Sequence, residues 1–160
     1  MIMSWQAIED ELYAMLDSMS PPDYNYDWDI AHRVEREYST PTTVISYPEG
    51  QPFESDISDR GGITSQERRS IRRVLIVCRV PSDMQTMDYE YLISKNDSAL
   101  NKALEDIKKL LFGNVSLALC AQGVRDINYI NATKHRMTNG ATYFPFELVV
   151  SYDIDYVERR

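Results

Sequence analysis

A chain of 160 residues, 43% hydrophobic and 26% charged, is long enough to bury about two-thirds of its unfolded surface around one core, and its composition is that of a soluble globular protein. One domain over residues 1–160 is expected. No apolar run exceeds the one from Val74 to Cys78, far short of the roughly 20 residues of a membrane helix. The start MIMSWQAIEDELY also lacks a basic segment ahead of an apolar one, so neither a membrane span nor a secretory leader is expected. A net charge of −8 disfavours wrapping duplex DNA, where neutralising phosphates is the dominant attraction.

The first expected element is a helix from Ser4 to Met19, because Trp5, Ile8, Leu12, Met15, Leu16 and Met19 recur at helical spacing, with Ser4 as cap and Pro21 and Pro22 as the stop. Residues 21–62 read as loop-rich, with one strand at Thr42 to Tyr47. Loops of this length inside a compact domain are usually functional or ordered against a partner. The aromatic residues Tyr24, Tyr26, Trp28, Tyr38, Tyr47 and Phe53 argue against a plain disordered linker. We take 21–69 as the interaction segment.

A central strand is expected from Ser70 to Val80, apolar on both rows at its middle and stopped by Pro81. Residues 82–95 are open between a loop and a short strand near Tyr89 to Ile93. A helix follows, with Asp97 or Ser98 as cap, an apolar stripe of Leu100, Ala103, Leu104, Ile107, Leu110 and Leu111, and Gly113 as C-cap. Asn101, Lys102, Glu105, Asp106 and Lys109 fall outside the stripe and are assigned to solvent. A strand at Val115 to Ala121 and a closing hairpin complete the chain. The hairpin runs Arg125 to Thr133, a turn with Asn139 and Gly140, and Thr142 to Val157, whose even-numbered residues from Phe144 to Tyr156 share one face. The expected fold is α+β, a mainly antiparallel sheet covered on one face by helices, with long aromatic-acidic loops.

Charge is unevenly placed. Residues 1–59 hold 13 acidic groups against Arg33 and Arg36, whereas residues 60–80 hold six arginines against Glu67. Such asymmetry suits head-to-tail association, since complementary patches steer encounters and fix register, although arginines flanking a strand are also ordinary solvated groups. Arg68 and Arg69, just ahead of the strand, are expected to be exposed. Cys78 and Cys120 lie in apolar stretches and read as small buried hydrophobes.

Motifs for nucleotide binding, serine hydrolysis or zinc proteolysis are absent from the sequence. Asp27, Asp29 and His32 place three possible ligands for a divalent ion within six residues, yet acidic residues of a solvated loop are the ordinary reading. Cys78 with His135 as nucleophile and base is disfavoured, because a catalytic cysteine needs a partly exposed, electropositive setting. Tyrosine pairs such as Tyr24 with Tyr26 and Tyr89 with Tyr91 stand beside acids that repel phosphates, so they read as protein-interface anchors rather than base-stacking platforms. Candidate interface residues are Tyr24, Tyr26, Asp27, Trp28, Asp29, Arg68, Arg69 and Arg72. No catalytic, cofactor or metal site is assigned.

The succession of an amphipathic N-terminal helix, an aromatic-acidic loop leading to PTTVISYPEG, the strand RRVLIVCRV, the helix SALNKALEDIKKLLFG and a final hairpin ending FPFELVVSYDIDYVERR resembles tailed-phage tail terminator, or tail-completion, proteins. The resemblance implies a non-enzymatic α+β subunit of a virion. Such a subunit is assembled in the host cytoplasm and forms a ring, commonly a hexamer, that caps the tail tube and joins tail to head. Its implied partners are further copies of itself, the tail tube protein and a head-neck connector, with DNA passing through the ring. The alternatives are a monomeric protein-binding module and a small metal-dependent enzyme using Asp27, Asp29 and His32.

Overall fold

The computed structural model describes residues 5–30, 40–52, 54–56, 67–80, 89–111, 116–136 and 146–159. The chain forms helix α1 (Trp5–Asp17), strands β1 (Asp29–Ile30), β2 (Thr42–Ser46), β3 (Ser55–Asp56) and β4 (Glu67–Arg79), helices α2 (Tyr89–Leu110) and α3 (Leu117–Ala121), and strands β5 (Val124–Arg136) and β6 (Phe146–Arg159). The six strands make one sheet in the order β1-β2-β4-β6-β5, with β3 added beside β4. Among the described residues only β1 and β2 pair in parallel, and the other neighbours are antiparallel. This is the expected α+β class.

The period-two pattern of β4 and β6 decides which row goes inside. Val74, Ile76 and Cys78 of β4 join Leu148, Val150, Tyr152, Ile154 and Tyr156 of β6, and together they pack with the apolar stripes of the helices in one core. From α1 come Trp5, Ile8, Leu12 and Leu16, and from α2 and the residue after it Leu100, Ala103, Ile107 and Leu111. Met19, fully buried just beyond α1, closes that stripe. The other row of β4 and β6 is half-buried at Leu75, Val77 and Val149 and buried at Asp155 and Val157.

Several expectations are corrected. Helix α2 begins at Tyr89, so part of the tract left open between loop and strand is helical, and Asp97 and Ser98 lie inside the helix rather than at its start. Asp97 accepts an ion pair from Lys134 of β5 at 2.7 Å, a tertiary role that capping statistics do not report. The segment read as a strand at Val115 to Ala121 contains helix α3, capped by Ser116, whose Oγ accepts from the Leu119 N–H at 3.2 Å. A five-residue apolar run has no period long enough to separate helix from strand. In the helix Leu119 is buried while Leu117 and Cys120 are exposed, so Cys120 is not the buried hydrophobe expected. Ser4, Gly113, Phe144 and the turn at Asn139 and Gly140 lie outside the described residues.

Gly123 joins α3 to β5 with φ +98°, in the left-handed region that favours glycine, and a Cβ there would stand 2.5 Å from the Val157 carbonyl oxygen. That backbone cannot yield easily, because the Val157 N–H donates to the Gly123 carbonyl at 2.9 Å. Gly123→Ala is therefore expected to destabilise the fold by about 1–3 kcal/mol. Denaturant melts check this, with a neutral result contradicting the geometry.

Candidate interaction surface

The aromatic-acidic loop is fastened by a residue that sequence reasoning sent to solvent. Asp106 of α2 is 2% exposed, and its carboxylate accepts from the Asn25 N–H at 2.8 Å, the Asn25 Nδ2 at 2.9 Å, the Tyr26 N–H at 3.2 Å and the Trp28 Nε1–H at 2.8 Å. Charge-assisted bonds of this kind are the strong ones, and they act beside the bonds from the Trp28 N–H to the Met19 carbonyl and from the Tyr26 hydroxyl to the Ala99 carbonyl. Trp28 is 1% exposed and belongs to the core. Tyr26 packs edge-on against it at 5.6 Å, and burial followed by the Asp106 charge raises the Tyr26 phenol above its usual range. Tyr24 is half-buried beneath the Lys109 ammonium. Asp27 and Asp29 are exposed, and Asp29 accepts from the Thr40 hydroxyl at 2.8 Å.

His32 lies outside the described residues, and among the described residues no three metal-ligating side chains cluster. Cys78 and His135 do not meet. Cys78 is on the buried row, with its thiol pushed up by burial, whereas His135 is exposed, pairs in register with Glu147 of the opposite row, and contacts the Thr133 hydroxyl.

The described arginines of this segment, Arg68, Arg69, Arg72, Arg73 and Arg79, each meet a carboxylate within the subunit. On the outward row, Arg69 forms a two-pronged pair with Asp155 at 3.0 and 2.7 Å, Arg73 with Asp153 at 2.9 and 3.1 Å, and Arg79 reaches Glu147 at 3.0 Å. Facing the core, Arg72 lies 4.6 Å from the Trp5 ring centroid and 3.3 Å from Glu54, which also pairs with Arg68 at 3.3 Å. Tyr156 donates to the same Glu54 carboxylate. That bond, ahead of the two arginines, holds the Glu54 carboxyl below the usual range. Trp5 in turn donates to the Tyr47 hydroxyl, which donates to Glu9.

These contacts revise the expected role of the arginines. Arg72 is buried, and Arg69 holds a carboxylate, Asp155, that is itself buried. Arg69→Glu would set two acids against each other, and we expect a loss of about 2 kcal/mol, which corresponds to about 4–8 °C in Tm. Arg68 is half exposed, so Arg68→Glu should change stability by less than about 1 kcal/mol. Equal melting temperatures for the two variants would contradict the assignment.

The edge strand β5 is mostly outward, with Val124, Ile127 and Ala132 as its contribution to the core. Nearly all of its residues from Arg125 to His135 are exposed, including Tyr129 and Ile130 at 41% and 39%. Its pairing with β6 shifts register near Val124 and again near Ile130, which bends an edge strand as bulges do. Sequence reading placed β5 in a hairpin but gave no reason to single out its edge, because edge position is set by the whole strand order. Among the described residues no helix is long and apolar enough to cross a membrane. No protein-family model matches this sequence, and no curated protein matches it.

Proposed function

We propose that the chain is a ring-forming structural subunit of a phage tail, of the tail terminator kind, which caps the tail tube and joins it to the head or neck. The observation that carries the reading is the order and proportion of the elements. A short N-terminal helix, a short strand, a long central strand, a long helix and a closing pair of long antiparallel strands follow the succession on which the resemblance rests. A sheet whose two edges lie on opposite sides of the subunit also suits a repeating assembly, because a ring requires two different complementary surfaces on each copy.

In this reading the internal charge pairs of β4 and β6 stiffen the sheet, and the half-buried Tyr24 and Tyr26 with exposed Asp27 and Asp29 lie on a loop fastened by Asp106. The tail tube protein and the head-neck connector are the proposed neighbours along the tail axis. Light scattering of the purified chain tests the reading. A ring gives a fixed multiple of the 18.6 kDa subunit, six-fold for a hexamer, while a monomer at all concentrations favours a protein-binding module instead.

A further inference from the structure

Strand β3 has little backbone to hold it. It lies on the edge of β4 away from β6, and among the described residues it pairs at Ser55 with Ile71 and at Asp56 with Ser70 alone. By contrast, β4 and β6 pair continuously from Glu67 to Cys78. So short a ladder is not stable by itself, since even a complete two-stranded hairpin is marginal in water.

Glu54, directly ahead of β3, supplies what the ladder lacks. Its side chain is 19% exposed. The carboxylate accepts from the Tyr156 hydroxyl of β6 and pairs with Arg68 and Arg72 of β4, each at 3.3 Å. Arg72 is buried and lies against the Trp5 ring of α1, and Trp5 leads through the Tyr47 hydroxyl to Glu9. One carboxylate thus ties residues 54–56 to both long strands through charge-assisted bonds. The Tyr156 bond, with the two arginines, outweighs burial and holds the Glu54 carboxyl below its usual range. The Tyr156 phenol is pushed up by burial and by the same bond, and the Glu158 charge acts on it in the same direction.

We propose that Glu54 is a charge-operated latch: when its carboxylate is neutralised, residues 54–56 leave the edge of β4 while the rest of the sheet stays paired. A carboxylate favoured by the fold contributes fully above the ordinary carboxylate range, and that contribution is lost as pH falls through its lowered value. Neutralising Asp153 or Asp155 would also break a pair, with Arg73 or Arg69, but these pairs span strands joined along their length, so the sheet weakens without parting. β3 has no such reserve. Opening bares the backbone of Ser70 and Ile71, and an uncovered strand edge is a template on which a further strand can pair. The latch does not depend on the ring reading.

Hydrogen–deuterium exchange of the full chain, corrected for the intrinsic rate at each pH, tests it. At neutral pH Glu54→Gln keeps the shape and an oxygen for Tyr156 but removes the charge. It should lower the protection of residues 54–56 by about tenfold or more and leave that of β6 unchanged. In the wild-type chain the same loss should appear on acidification before β6 loses protection, an arm that decides the question if the variant does not fold. Asp153→Asn, which discharges the Arg73 pair, should leave residues 54–56 as protected as in the wild type. Residues 54–56 unprotected in the wild type at neutral pH, unchanged in Glu54→Gln, or opening in acid only together with β6 overturn the latch.

Discussion

Replacing Asp106 by alanine is expected to destabilise the protein by about 3–5 kcal/mol. The carboxylate meets the Asn25 and Tyr26 backbone N–H groups and the Trp28 indole N–H in a buried setting. Each donor left without a partner there costs about 1–3 kcal/mol, partly relieved by any water that enters. Asp106→Asn keeps the shape and one accepting oxygen, so its loss should be about half as large. Guanidinium melts measure both, and Trp28 fluorescence reports whether the loop has left its seat. A loss below about 1 kcal/mol for the alanine variant would mean the loop is held by other contacts.

The second large effect falls on Ile107. The stripe of α2 read from periodicity included Leu104 and Ile107 as equals, but Ile107 is fully buried and Leu104 is packed at the margin. Ile107→Ala removes core atoms and leaves a cavity lined by the sheet, with an expected cost of about 2–5 kcal/mol, whereas Leu104→Ala should cost about 1–2 kcal/mol because its site is partly solvated already. Chevron or equilibrium denaturation ranks the two, and the reverse order would show that the helix is rotated about its axis relative to the packing described.

The same pair shows what a sequence can reveal. Strands β4 and β6 were legible because alternation is a local signal, and the C-terminal half of α2 was legible because its apolar spacing extends over three turns. Asp106 was misread because a charged residue in mid-helix is ordinarily solvated. Yet it falls between Ala103 and Leu110 on the helical face, and the buried loop donors that make it tolerable lie about 80 residues earlier in the chain. The arginines were misread for the same reason. Asp155 is 86 residues from Arg69, and no spacing rule connects positions that meet only after β4 and β6 pair. Helix α3 was lost to brevity, and the β5 edge to the fact that strand order is a property of the assembled sheet.

The charge split between the first 59 residues and the arginine segment is met in part inside the subunit. Glu54 supplies a carboxylate from the acidic half to Arg68 and Arg72 of the same chain, and β6 supplies carboxylates to Arg69, Arg73 and Arg79. The charges therefore specify how strands meet within the subunit.

Negative-stain electron microscopy of the purified full chain tests the central claim most directly, because a ring is recognisable without knowledge of its partners. Closed rings of uniform diameter with a central opening are expected. Fields of single small particles, or open aggregates without a fixed diameter, would contradict it.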